Sequence, residues 1–374
     1  MKKYLALALS VILMLGVLTA CGGKQDGKSS DNGDEPQVGI VLPTKDEPRW
    51  LQDEAAFKTA LEDAGFTSEV VFSQGSTATE LSNVEDLVDK NIKVLVLCAQ
   101  DASAAGAAVQ AAKEGGVKVV CYDRLITNTD AVDYYASFDS FSVGEAQGKY
   151  LIDKYAGKKD VPLYLYGGPV ADNNSFMFFA GAWSVLNKAV ADGQFVVENC
   201  DAVADYKGKE LNAKDRDAMT VILETINTDW DVGKAKALAE ANLKARKATA
   251  KGDVAILAPN DGTARAIADA FAADKDVKSY VITGQDAELA SLKYIQTGKQ
   301  NMTVWKNTAT LAKVTCDMVT EILEGTSPKT DMDFDNGVKM IPTVLADIVV
   351  IDRDNLPKLI NEGSFSQDDI DNAE

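Results

Sequence analysis

Short apolar, β-branched runs alternate with stretches whose apolar residues recur every three or four positions, through most of the 374-residue chain. The runs at 38–42, 70–72, 94–97 and 117–122 have the length and branching of buried strands. Between them, Trp50, Phe57, Leu61 and Ala64 share a helical face behind Pro48, which suits a first helical turn. Leu81, Val84, Leu87 and Val88 mark a second helix, and a third over 104–113 stops at Gly115 and Gly116. Such repetition gives a parallel, doubly wound α/β sheet, because each crossover helix returns the chain in the same direction.

A second α/β half follows the strand at 134–138. Its elements are a helix through Gln147 and Leu151, a strand at 161–166, a helix at 175–191, a strand at 195–197 and a helix at 234–247. A strand at 254–258, a helix through Ile267, a strand at 280–283, a helix ending at Tyr294 and a short strand at 302–304 complete it. Leu311, Val314, Met318 and Ile322 define the last helix, and 344–351 reads as one terminal strand. The segment 200–230 is long, acidic and hard to register.

Polar residues punctuate these strands at one end. Lys45, Arg49 and Trp50 follow the first strand, and Asp123 and Arg124 follow 117–122. Asp172, Asn173 and Asn174 follow 161–166, Asn260 and Asp261 follow 254–258, Gln285 and Asp286 follow 280–283, and Trp305 and Lys306 follow 302–304. A single such residue is a turn former or helix cap as readily as a ligand group. Their recurrence at the carboxyl ends of strands, where open α/β sheets bind ligands, points to a shared polar cleft.

The first forty residues bear on location. Lys2 and Lys3 precede an uncharged apolar stretch ending at Ala20, the layout of a secretory signal and short for a membrane span. Leu18-Thr19-Ala20-Cys21 resembles a bacterial lipobox, which implies a signal peptide over 1–20 and a lipid on Cys21. Residues 21–36, rich in Gly, Ser, Asp and Lys, read as a flexible tether. The formal charge of −19, or −21 once Lys2 and Lys3 leave with the signal, repels phosphate backbones, so no nucleic-acid partner is expected. There is no histidine, which removes His-based hydrolysis and the commonest zinc ligand. Of the five cysteines, Cys98, Cys121, Cys200 and Cys316 lack C-x-x-C spacing and read as buried small hydrophobes, so neither metal nor cofactor is expected.

From Val38 onward the chain resembles the periplasmic sugar-binding proteins of bacterial ABC transporters, in the branch of xylose-binding and multiple-sugar-binding proteins. The matching stretches are Pro43-Thr44-Lys45 with Arg49-Trp50, Tyr122-Asp123-Arg124-Leu125-Ile126, Asp172-Asn173-Asn174, Asn260-Asp261-Gly262, Thr283-Gly284-Gln285-Asp286-Ala287-Glu288, and Lys306. The resemblance implies a periplasmic binding protein of type I: two Rossmann-like lobes with parallel sheets, joined by a three-segment hinge. It places crossings near Phe138-Asp139, Met302-Thr303 and between Asn336 and Ile341. The N-terminal lobe would then hold 37–139 and 303–338, and the C-terminal lobe 140–302 and 339–374. It also implies a monomer that delivers a monosaccharide to an ABC permease.

Sugar chemistry accounts for these residue types independently. Adjacent hydroxyls donate and accept, so Asp carboxylates, Arg and Lys donors and the two-way amides of Asn and Gln each bridge neighbours. Aromatic rings cover the apolar C–H faces, with Trp50 the first choice and Phe176 or Trp230 the second. The resemblance favours a neutral aldose such as xylose, glucose, galactose or arabinose, and the residue set agrees, offering acids and bases with no surplus cationic cluster for a phosphate or a sugar acid. A signalling molecule or nucleoside is the alternative ligand. Asp123 and Asp261 would in principle suit glycoside hydrolysis, but Arg124 beside Asp123 lowers an acid's pKa rather than raising it, so binding without catalysis is expected. A DNA-binding regulator of the same architecture would need a helical module where this chain has a signal and tether.

Overall fold

The computed structural model describes residues 35–361 and 363–373. The signal, Cys21 and most of the tether lie outside the described residues. Strand and helix alternate as β1 (Val38–Leu42), α1 (Pro48–Asp63), β2 (Ser68–Phe72), α2 (Thr77–Asp89), β3 (Val94–Leu97), α3 (Gly106–Glu114), β4 (Lys118–Tyr122) and β5 (Tyr134–Phe138). The chain then runs through α4 (Ser140–Lys154), β6 (Val161–Leu165), α5 (Asn173–Ala191), β7 (Phe195–Val197), α6 (Arg216–Ile226) and α7 (Val232–Ala245). It continues as β8 (Asp253–Leu257), α8 (Asp261–Ala273), β9 (Ser279–Ile282), α9 (Leu289–Thr297), β10 (Met302–Lys306) and α10 (Thr308–Leu323). Last come β11 (Met332–Asp335), β12 (Met340–Ala346), β13 (Ile348–Asp352), α11 (Pro357–Asn361) and α12 (Gln367–Asn372).

Two sheets organise these elements. The first has the order β11-β12-β5-β4-β3-β1-β2, parallel except for the β11–β12 hairpin. The second, β7-β6-β8-β9, is parallel throughout. Each is covered on both faces by an apolar layer, which is why its strands read as continuous hydrophobic runs. In the second lobe, α4 and α5 approach until backbone meets backbone. A Cβ on Gly144 would lie 1.9 Å from the Phe178 carbonyl oxygen, and one on Gly181 1.9 Å from that of Phe141. Only glycine fits there, and the contact fixes α5, whose first turns enter the cleft.

The chain leaves the first sheet after Phe138, and α4 packs on α5 in the second lobe. The other two crossings differ from expectation. β10 stays with the second lobe to its end: Val304 N donates to Gly284 O and Asp286 N to Val304 O. The change of lobe comes at Asn307, before α10, which packs on α1. The expected single strand at 344–351 is two strands broken at Asp347: β12 pairs in parallel with β5, and β13 pairs antiparallel with β10. The third crossing is therefore at Asp347, and 336–341, expected to be that crossing, holds the β11–β12 turn and the first residues of β12, with Gly337 at φ 93°.

Cys98, Cys121, Cys200 and Cys316 are free and buried, and burial pushes the Cys121 thiol up to about 12 and that of Cys200 to about 11. No helix among the described residues is long and apolar enough to cross a membrane.

Candidate functional site

The cleft floor on the first lobe comes from two strand ends. Pro48 starts α1 and turns Arg49, Trp50 and Asp53 inward, all three buried. The Arg49 guanidinium pairs with Asp123, reaches Asp286 Oδ1 of the other lobe at 3.5 Å, and lies 4.6 Å from the Trp50 ring centroid. Asp123 follows β4 with φ 61°, a left-handed conformation that Asp tolerates better than most residues. Three donors hold this turn. The Asp123 carbonyl accepts from Tyr135 Oη and Ser137 Oγ, both at 2.8 Å, and from Asn174 Nδ2 across the cleft at 3.1 Å. Arg124 then reaches over Trp50, donates through Nη1 to Ala99 O at 3.2 Å, and pairs through Nε with Asp172 Oδ2 of the second lobe at 3.0 Å.

The second lobe answers with amides, rings and two carboxylates. Asp172 caps α5 by accepting from Asn174 N at 2.8 Å, which presents Asn174 and, one turn on, Phe178. Trp230, at φ 57°, sets its ring edge-on to Phe178 with centroids 6.4 Å apart. Asn260 caps α8 at the cleft wall. Gln285 and Asp286 lie on a turn where Asp286 has φ 97° and Ala287 φ 52°. Lys306, at the end of β10, donates to Asp286 Oδ1 at 2.9 Å, with the Phe138 and Phe178 rings nearby. Trp230 Nε1 and Gln285 Oε1 are buried with no protein partner. A buried unpaired polar atom is costly, so these two atoms are free to take a partner from within the cavity they line.

Charge is balanced by alternation. Burial opposes the Asp123 anion, but Arg49, Lys306 and Arg124 outweigh it and hold the carboxyl below the usual range. Burial dominates at Asp172 and Glu47 and raises both, with Arg124 pulling against it. A depressed acid cannot serve as a general acid near neutrality. Asp261, the other half of the hydrolytic pair considered above, does not line this cavity.

The structure gathers Arg49, Trp50, Asp123, Arg124, Asn174, Trp230, Asn260, Gln285, Asp286 and Lys306 around one cavity. Lys45, Asn173 and Asp261 stand elsewhere. Lys45 is exposed, with its ammonium 4.7 Å from the Phe72 ring centroid. Asn173 turns to the opposite side of the α5 N-terminus, where with Phe176 and Arg216 it lines a separate open groove of about 400 Å3. Asp261 is wholly buried beneath the cleft, its carboxylate accepting from Gln300 Nε2 at 2.7 Å, Thr303 Oγ1 at 3.0 Å and Glu288 N at 2.9 Å. It is a staple joining α8, the Gln285–Asp286 turn and β10. Glu47, Asp172 and Phe178 also line the cavity. Asp172 is visible in the sequence beside its neighbours, and Phe178 falls four residues after Asn174 on the same helix face. Glu47 carries no signal beyond that of an ordinary residue before a helix.

Two parallel α/β lobes, crossed three times by the chain and meeting over a polar cleft with aromatic walls, define a solute-binding protein. The chain belongs to the family described as periplasmic binding protein domain, whose model matches residues 38–327. It is 36% identical over 348 residues to the multiple sugar-binding periplasmic receptor ChvE of Rhizobium radiobacter, covering 90% of this chain and 92% of that protein. Among solved structures it resembles a carbohydrate transporter solute-binding protein from Chloroflexus aurantiacus in complex with D-glucose. That match has 51% identity, a TM-score of 0.86, and coverage of 89% of this chain and 98% of that one. An ABC transporter solute-binding protein from Clostridium phytofermentans with bound β-D-glucose matches at 31% identity and a TM-score of 0.79, with coverage of 89% and 99%.

Proposed function

We propose that this protein captures a neutral monosaccharide of the glucose or xylose type between its lobes, outside the cytoplasm, and delivers it to an ABC permease. The observation that carries this reading is the set of cross-cleft pairs, Arg49 with Asp286 and Arg124 with Asp172, beside the rings of Trp50, Phe178 and Trp230. Those pairs leave about 20 Å3 among the side chains, room for a water molecule. A sugar therefore binds by exchanging its hydroxyls for ion pairs already made, with the rings covering its C–H faces. The glucose held by the relatives of known structure supports the choice of an aldose.

The lobes we assign are 37–138 with 308–346, and 140–306 with 348–373. Arg49, Trp50, Asp123 and Arg124 belong to the first, and Asp172, Asn174, Phe178, Trp230, Asn260, Gln285 and Asp286 to the second. Lys306 stands at a crossing. A ligand held by both lobes favours their closure, and the closed form is the one a permease would read. The protein works as a monomer, tethered through a lipid on Cys21. A thermal-shift panel of aldoses, nucleosides and acidic sugars tests the ligand class, since a ligand that binds only the folded chain raises the melting temperature. D-glucose or D-xylose should give the largest rise; a nucleoside or acidic sugar giving it instead would overturn the reading.

A further inference from the structure

Glu80 lies in the first turn of α2, wholly buried and away from the cleft lining. Among the described residues no cation stands within ion-pair distance of it. A buried carboxylate without a counter-ion is expensive, so packing alone does not explain it. Its bonds are specific. Glu80 Oε2 accepts from Gln100 N at 2.7 Å and from Ser73 Oγ at 3.4 Å, while Oε1 has no partner. Gln100 belongs to the loop after β3, and that loop touches both sides of the ligand site. Ala99 O receives the guanidinium of Arg124, and Ala102 N donates to Ala171 O of the second lobe at 2.9 Å, next to the Asp172 that pairs with Arg124.

We propose that Glu80 is a positioning residue for the sugar site: it fixes the loop that holds Arg124 and meets the second lobe, and its proton tunes how well the cleft closes. The inference rests on the sugar-binding reading. Burial raises the Glu80 carboxyl to about 7, against the pull of the Gln100 amide, Arg124 and Ser73, with Asp101 adding to the rise. The charged groups that face it are thus Arg124, from the end of β4, and Asp101, from the loop itself. Closure sets Asp172 against Arg124 and offsets the charge that would otherwise favour the Glu80 anion, so the closed form takes up a proton near neutrality. The sign follows. A carboxyl raised above its ordinary value contributes stability that is present below that value and lost as pH rises through about 7. Sugar affinity should fall in the same direction.

The test is titration calorimetry with D-glucose at about pH 6 and about pH 8, on the parent, Glu80→Gln and Glu80→Ala. Glu80→Ala leaves the Gln100 amide without its acceptor and should bind about tenfold more weakly at the lower pH. Glu80→Gln keeps an acceptor, so it should bind like the parent at the lower pH and lose part of the decline at the higher one. The other buried acids that burial raises, Asp53, Glu47 and Asp172, are unchanged in all three proteins, so the difference between parent and Glu80→Gln isolates Glu80. In parallel, the NMR shift of the Gln100 amide should titrate in the parent, at a higher pH with sugar than without, and stay flat in Glu80→Gln in both states. Parent affinity in Glu80→Ala, or a full parental pH profile with a titrating amide in Glu80→Gln, would overturn the proposal. A parent that binds no aldose but shows the amide titration would sink the sugar reading and leave Glu80's hold on the loop standing.

Discussion

Asp123 and Asp261 occupy matching places in the two lobes, each just past a parallel strand and next to a polar or charged neighbour, yet only one faces the cleft. Asp123 sits in a left-handed turn whose carbonyl is gripped by Tyr135, Ser137 and Asn174, so its side chain projects between the lobes toward Arg49. Asp261 is the first residue of α8, and its carboxylate is satisfied from below by Gln300, Thr303 and Glu288 N. Burial, with Glu288 and Asp286 adding to it, pushes its carboxyl well above the usual range, while cations hold that of Asp123 below it. The same residue type past a strand end thus faces the cleft where a turn aims it outward and becomes a structural staple where a helix N-terminus draws it in.

The largest effect that would break this comparison concerns the staple. Asp261→Ala strands three buried donors and should cost about 3 kcal/mol or more of folding stability, read as a lower urea midpoint. If that midpoint barely moves while sugar binding disappears, Asp261 is a ligand after all. Next comes the cleft side. Arg124→Ala should cost about 2–5 kcal/mol of sugar binding by titration calorimetry, with folding changed by under about 1 kcal/mol, since the opened lobes let water reach Asp172. Equal losses in both quantities would erase the distinction between site and scaffold. The smallest effect is at Lys45, whose removal should leave affinity within a factor of about two, because an exposed ammonium over one ring is worth little. A tenfold loss would return Lys45 to the cleft.

The parallel sheets were legible in the sequence because strands covered on both faces read as unbroken apolar runs, as at β1, β3 and β4. The third crossing was not, because β12 and β13 form one apolar stretch whose division rests on Asp347 alone. The hydrophobic face of α6, at Met219, Ile222, Leu223 and Ile226, was present but hidden among the acidic residues of 200–230. At the site, strand-end position located the cleft, while side-chain direction depends on φ and on partners distant in sequence. That is why adjacent Asn173 and Asn174 point into different spaces, and why Glu47 escaped notice.

The four buried cysteines have a practical corollary. With every described thiol shielded and pushed toward the protonated form, the folded body offers no competing nucleophile to a maleimide dye. A single Lys214→Cys replacement would put the label on the second lobe at the spot where Lys214 Nζ now meets Asp335 Oδ2 of the first, at 2.9 Å. A fluorophore there would sense the opposing lobe come and go, turning the grip on a sugar into a change of light.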